Sequence, residues 1–456
     1  MVKKYHKFGL VTGLIQGGCL AFIFLKQYIN FELNTFEFRC LCQGVLPLSI
    51  LLTKQLRGWN IDIIPNMLCT LLINLALLST TNAVFFSYLA LGAWILHLWA
   101  IKTFFYFKFI APTGKFRVGY KNMDHQGFSF SVFYPTDKPT NVKAKFSANR
   151  HAMNNLYEGV TMRVPLPRWL FDMTFDFINK IKIHAYVGAP LISSEKLSHD
   201  SKKFVPIVFS HGLSAQRNAY SSFCCELASH GHIIFSIDHV EEIKTTFRDE
   251  KEGEIRRKFL AKRVKEVRAL LDSLQQGGLL TDLFETQVIL AFEKLVVMGH
   301  SFGGATALAT SFEDKRVSDI ILLDPWLIPF KKQEELTKKI SSNVLLIESE
   351  TWNKEEPTFE VTERNKFFIE SQKGSGKRVL FTTLKGSDHI SLTDITLLIA
   401  PVSKLAKQLS HLEKTRANMV YLVNLVREYV DLLVVNDNPK KSTENLDKLI
   451  SSFNLS

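Results

Sequence analysis

The sequence predicts an α/β fold: a mostly parallel sheet covered by helices on both faces, preceded by an N-terminal transmembrane helical region. Three observations predict it. From Phe204 onward, short apolar runs of strand length alternate with longer helical patterns. One run, Leu295-Val296-Val297-Met298, leads straight into Gly299-His300-Ser301-Phe302-Gly303, a Gly-x-Ser-x-Gly turn that carries a chain sharply from strand to helix. Residues 1 to about 110, in contrast, are dominated by apolar and aromatic side chains. The expected organisation is residues 1–110 as an anchor, 111–435 as the sheet-bearing domain and 436–456 as a polar tail.

The N-terminal block holds about four candidate spans. Residues 8–25 contain no charged side chain and are long enough to cross a bilayer. Residues 41–53 reach spanning length only if they start near Phe36, which draws in Glu37 and Arg39. Residues 63–79 and 83–101 are two further candidates, separated by Thr80-Thr81-Asn82. Lysines 3, 4 and 7, then Lys54 and Arg57, then Lys102, Lys108 and Lys115 place both termini on the cytoplasmic side by the positive-inside rule. A cleaved signal peptide over residues 1–25 is the alternative, but no small-residue cleavage site stands out. The net charge of +12 forms no basic stripe interleaved with aromatics, so the expected partner is a lipid bilayer and not nucleic acid. Beyond the first 110 residues only Cys224 and Cys225 remain of six cysteines, an adjacent pair ill suited to a structural disulfide. That usage fits a reducing compartment.

Within 111–435, strands are expected at 116–120 and 128–134, joined by a turn over 122–127, with an irregular stretch to 164. In 165–184, Trp169, Leu170, Met173, Phe177 and Ile181 recur at helical spacing, and Phe171, Phe175 and Ile178 widen the face. The pattern suits a core helix, or an interfacial helix with Trp169, Phe171 and Phe175 against lipid. Strands follow at 204–209, 232–238, 295–298, 320–323, 344–347 and 379–383. Helices are expected at 220–230, 254–274 and 402–435.

The Gly-x-Ser-x-Gly turn makes Ser301 the candidate nucleophile, at a helix N-terminus that favours developing negative charge. The N–H of Phe302 and that of Leu213, in the Ser210-His211-Gly212-Leu213 loop after an early strand, are the candidate oxyanion donors. Such donors are worth roughly 3–4 kcal/mol of barrier each. A serine hydroxyl needs a base and the base an orienting acid, in the chain order serine, acid, histidine. His389, just after the last strand, is the candidate base. Asp324, Glu348 and Glu350 all close strands between the two, and order alone permits each. His211, His230, His232 and His239 show no metal-ligand spacing, so no metal is expected. Gly374-Ser375-Gly376-Lys377 precedes a strand and lacks phosphate-loop spacing.

A set of segments recurring together adds a family resemblance: Phe209-Ser210-His211-Gly212-Leu213, Arg217 with Tyr220-Ser221, Leu227 to Gly231, Gly299 to Thr306, Leu323-Asp324 with Trp326, and Gly386 with His389 and Asp394. In these the chain resembles the platelet-activating factor acetylhydrolases, the plasma and intracellular type II enzymes of the α/β-hydrolase fold, over most of residues 116–435. The resemblance implies catalytic roles for Ser301, Asp324 and His389, favouring Asp324 over the glutamates, and oxyanion roles for Leu213 and Phe302. It implies a calcium-independent serine esterase with no cofactor, acting on the sn-2 ester of phospholipids with short or oxidised acyl chains. Ser214, Pro325, Val240 and Glu241 depart from the family pattern, which bears on acyl preference. A general carboxylesterase or lipase, or a catalytically silent binding module, are the competing readings.

Overall fold

In the computed structural model, residues 14–21, 23, 63–78, 83–104, 109–147, 150–161, 167–198, 202–240, 250–330, 333–352, 361–398 and 411–435 are described. The chain divides into two compact units: Met1–Lys108 with Val164–Ile181 and Ile399–Lys407, and Phe109–Arg163 with Lys182–Leu398 and Gln408–Ser456.

The larger unit is built on a ten-stranded mixed sheet. Its strands are β1 (Arg117–His125), β2 (Phe128–Thr136), β3 (Lys143–Lys145), β4 (Lys182–Val187), β5 (Pro206–Ser210), β6 (Ile233–Asp238), β7 (Val296–His300), β8 (Asp319–Leu323), β9 (Asn343–Ser349) and β10 (Val379–Leu384). The order across the sheet is β10-β9-β8-β7-β5-β6-β2-β1-β4-β3. Strands β6, β5, β7, β8, β9 and β10 run parallel, and β2 adds to β6 antiparallel. The central strands read as unbroken apolar runs because both sheet faces are covered. Val208, Val297, Ile320 and Leu322 enter one core with Leu260, Val264, Val267, Leu271 and Leu274 of the helix Glu250–Gln276. The alternate residues Ile207, Phe209, Met298, Ile321 and Leu323, which point to the opposite face, are equally buried. Each helix residue in that stripe contributes about 1.5–3 kcal/mol by leaving water.

Register decides what meets at one end of the sheet. Ser210 pairs beside Gly299, His300 beside Leu323, Leu323 beside Ile347, and Leu384 beside Ser349. The residues that follow these strands, 211–213, 301–302, 324 and 385–389, therefore leave the sheet side by side.

Several expectations are corrected. The turn over 122–127 narrows to Gln126 and Gly127: both have positive φ, 47° and 84°, the two-residue hairpin geometry that matches strand twist. The stretch from 135 to 164 is not irregular throughout, since it holds β3 and the helix Arg150–Thr161. The helix expected over 165–184 is short, Arg168–Phe175, then a 3-10 segment Asp176–Lys180, and it gives way to β4, which pairs with β1 and β3.

The smaller unit contains helical residues 14–21 and the helices Ile63–Leu78 and Ala83–Phe104. Cys19, Leu20, Ile23, Cys69, Leu72, Ile73, Ala76, Ala90 and Ala93 form its core. Within it the Gln16 amide donates to Asn66 Oδ1 at 2.7 Å and to Thr70 Oγ1 at 3.1 Å. Among the described residues no helix is long and apolar enough to cross a membrane, so the expected transmembrane spans at 63–79 and 83–101 are not supported. Ile63–Leu78, with 16 residues, reaches only about 24 Å at 1.5 Å per residue, short of a hydrocarbon core of about 30 Å. The candidate at 41–53, most of 8–25 and the tail 436–456 lie outside the described residues.

Candidate active site

The Gly-x-Ser-x-Gly segment is a sharp turn between β7 and the helix Phe302–Glu313. Ser301 sits at φ 57° and ψ −120°, a conformation that costs a non-glycine residue about 1–3 kcal/mol. Its surroundings over-determine it. Ser301 N–H donates to the Leu323 carbonyl at 2.9 Å, and Ser301 O accepts from Gly304 N–H and Trp326 N–H, both at 2.9 Å. The flanking glycines are obligatory: a Cβ on Gly299 would lie 2.2 Å from Gly303 O, and one on Gly303 would lie 2.0 Å from Ser210 O.

Asp324 leaves β8 at φ 42° and is wholly buried. Its Oδ2 lies 3.1 Å from His389 Nδ1, while Ser349 donates its N–H to Oδ1 and its hydroxyl to Oδ2, each at 2.5 Å. Burial pushes the Asp324 carboxyl up to about 7; the two Ser349 donors pull the other way, and Asp388 raises it further. With Nδ1 engaged by the acid, Nε2 is the nitrogen His389 offers to a hydroxyl. The indole of Trp352 stacks on His389, centroids 3.6 Å apart and planes 8° from parallel. The two competing acids lie elsewhere. Glu348 accepts from Asn365 Nδ2 at 2.7 Å, and exposed Glu350 accepts from Gly386 N–H at 2.7 Å.

The 210–213 loop packs onto the turn: a Cβ on Gly212 would lie 3.3 Å from Ser301 Cβ. Neither the Leu213 N–H nor the Phe302 N–H donates to another group among the described residues. That leaves two donors at the strand end where Ser301 emerges, one of them at a helix N-terminus. His300, Asp324 and His389 also offer ligand atoms within 4.8 Å of one another. Yet His300 Nε2 is engaged by the His389 carbonyl, and His389 Nδ1 and both Asp324 oxygens are hydrogen-bonded. A cation would have to displace that network.

A linked serine–histidine–carboxylate chain lies elsewhere in the larger unit. Ser210 Oγ lies 2.9 Å from His239 Nε2, and His239 Nδ1 lies 2.6 Å from Glu266 Oε2. Ser210 is completely buried in regular β5.

Of the proposed lipid-facing residues, Trp169 is 64% exposed. Phe171 is fully buried, its ring 4.8 Å from that of Phe175, so it presents no face to lipid. Ser349 and Trp352, which touch the candidate acid and base, carry no sequence signal: Ser349 ends β9 and Trp352 follows it, with no motif around either.

Residues 105–452 match the family described as platelet-activating factor acetylhydrolase, isoform II. The chain belongs to that family. A platelet-activating factor acetylhydrolase of Cavia porcellus is 28% identical over 308 residues, covering 61% of this chain and 65% of its own. That of Canis lupus familiaris is 26% identical over 306 residues, covering 60% and 64%. The chain thus spans less than two thirds of the length of these curated relatives. A ferulic acid esterase structure from Streptomyces cinnamoneus aligns over 74% of this chain and 97% of its own at TM-score 0.46 and 17% identity, too loose a likeness to carry an argument.

Proposed function

We propose that this protein is a serine esterase that hydrolyses the sn-2 ester of glycerophospholipids bearing short or oxidised acyl chains, on an α/β-hydrolase scaffold formed by residues from about 111 onward. Family membership supports the substrate class. The observation that carries the chemistry is the 3.1 Å contact between His389 Nδ1 and Asp324 Oδ2 at the sheet end where strained Ser301 emerges.

In this reading His389 Nε2 takes the Ser301 hydroxyl proton as Oγ bonds to the ester carbonyl carbon. The carbonyl π pair moves onto oxygen, between the N–H groups of Leu213 and Phe302. Collapse breaks the carbon–oxygen bond to glycerol, and the leaving oxygen takes the proton from His389, giving lyso-lipid. Water then attacks the acyl-serine by the same proton route and releases the acid. Asp324 holds the imidazole tautomer and offsets its transient charge.

The test is hydrolysis of defined phospholipids by the purified protein, beside labelling by a fluorophosphonate. Release of a short sn-2 acid, with label lost in Ser301→Ala, is the expected result. Turnover of neutral aryl esters alone would favour a general carboxylesterase, and absence of labelling would leave a binding module.

We also propose a lipid surface as partner of the smaller unit. Met67, Leu68, Leu71, Phe85, Leu89, Ile95 and Leu96 are exposed on its two helices, more apolar surface than a water-facing helix pair usually presents. Co-sedimentation with anionic vesicles, weakened by paired Leu→Ser changes at 68 and 71, tests it; recovery wholly in the supernatant would end it.

A further inference from the structure

One hydrogen-bonded chain in this site ends on the backbone next to one group that the esterase reading uses, Leu213 N–H, and on the backbone of another, His389. Gly212 N–H donates to the Tyr220 phenol oxygen at 3.1 Å. That oxygen lies 2.8 Å from His300 Nδ1, and His300 Nε2 lies 3.1 Å from the backbone carbonyl of His389. Proton accounting gives the chain one direction. A backbone N–H can only donate and a carbonyl can only accept. The phenol therefore accepts from Gly212 and sends its own proton to Nδ1, and His300 carries its ring proton on Nε2, facing His389 O. Each link has a donor and an acceptor in a single neutral tautomer.

We infer that His300 and Tyr220 are positioning residues, which hold the backbone beside the Leu213 donor and the backbone of His389 at a set separation across Ser301. The inference rests on the esterase reading for its consequence, but not for its geometry. Tyr220 and His300 are both buried, so water does not compete for the links. Burial, and then the neighbouring His389, hold the His300 imidazole well below its usual pKa, which keeps the required neutral form. The packing is tight: a Cβ on Gly212 would lie 3.2 Å from both His300 Nδ1 and the Tyr220 hydroxyl. Neither residue is placed to act as base or donor itself, because each of its polar atoms is already engaged.

An oxyanion donor and a base must both meet the reacting carbonyl, and misplacement by about 1 Å costs about 100-fold in rate. Tyr220→Phe removes the central oxygen with little change of shape. His300→Phe removes both ring nitrogens, whereas His300→Gln keeps a donor toward His389 O. Expected are falls in kcat of about 10- to 100-fold for Tyr220→Phe and more for His300→Phe, with KM within about 2-fold. His300→Gln should recover part of the rate. The double variant Tyr220→Phe/His300→Phe should fall no further than His300→Phe alone, because both break one chain. Wild-type kcat in folded Tyr220→Phe, or losses that multiply in the double variant, would overturn the role. Separately, ring-nitrogen NMR of the wild-type protein should show His300 as the Nε2–H tautomer from pH 5.5 to 8. A proton on Nδ1, or a charged ring in that window, would overturn the chain itself. If the wild-type protein takes no fluorophosphonate label, the esterase reading fails, and the tautomer still judges the geometry.

Discussion

Two serine–histidine–carboxylate candidates lie in the larger unit, and on contacts alone the one not proposed as catalytic looks better made. Ser210, His239 and Glu266 are joined by links of 2.9 and 2.6 Å, while His389 and Asp324 are 3.1 Å apart. What separates them is backbone and access. Ser210 is in a regular strand with none of its surface in reach of solvent; Ser301 stands at φ 57° with 9% exposed. Ser301 also opens a helix and has the 210–213 loop packed against it. His239 is held well below its usual pKa by burial and then by Arg263, His211 and Lys262, a setting for a neutral structural ring. Linked groups make good internal glue. Reactivity needs strain, an approach and somewhere for charge to go.

The contrast can be broken most directly at the two serines. Ser301→Ala should lower esterase turnover about 10⁶-fold and abolish fluorophosphonate labelling. Ser210→Ala should keep labelling and cost about 1–3 kcal/mol of stability, read by urea melts, because His239 loses a partner. Label retained in the first variant and lost in the second would reverse the two roles. Next come the acids: Asp324→Asn should lower kcat about 10⁴-fold by misdirecting the imidazole tautomer, while Glu348→Gln stays near wild type. An inactive Glu348→Gln beside an active Asp324→Asn would move the acid to β9.

A smaller effect concerns pH. Asp324 must be ionised to hold His389, and burial places its pKa at about 7, so labelling should slow as pH falls through about 7. Ser349→Ala removes the hydroxyl donor to Oδ2, raises that pKa and should move the acid limb to higher pH, with a rate loss of about 10-fold. An unmoved limb would separate Ser349 from the acid.

The smallest effect tests what ties the reactive region down. Asp394, fully buried, accepts from Ser221 Oγ at 2.7 Å and Ser222 N–H at 2.9 Å, joining the segment after His389 to the helix Ser221–Ser229. Burial raises its pKa from 3.8 to about 6. A carboxyl whose folded pKa is raised opposes folding when ionised, so this penalty is full above about 6 and relieved as pH falls toward 3.8. The gain in stability from pH 8 to pH 5 should therefore shrink by about 1–1.5 kcal/mol in Asp394→Asn. Equal pH dependence in both proteins would assign the raised value elsewhere.

Much of this could be read from the residues in advance. Unbroken apolar runs such as Ile320-Ile321-Leu322-Leu323 announce strands buried on both faces, and register then brings their loops together. Strand β4 escaped because the helical apolar face was extended past Ile181, although Ile183 and Ala185 alternate with Lys182 and His184 and the segment pairs with β1 and β3. Three strand-end acids were equivalent on order alone; the family resemblance favoured Asp324, and among the three acids it is Asp324 that contacts His389. Ser349, Trp352 and the Tyr220–His300 chain are tertiary facts with no local spacing to reveal them. The expected spans at 63–79 and 83–101 do form helices, Ile63–Leu78 and Ala83–Phe104, but among the described residues none is both long and apolar enough to cross a membrane.

The indole of Trp352, flat against His389 at 3.6 Å, has a consequence for timing. In the proposed reaction the His389 ring is a cation while it carries the serine proton, and the electron-rich face beside it would then attract the charge by about 0.5–2 kcal/mol. An aromatic side chain that never touches the reacting bonds would thus steady the imidazole only for the instant in which it is charged.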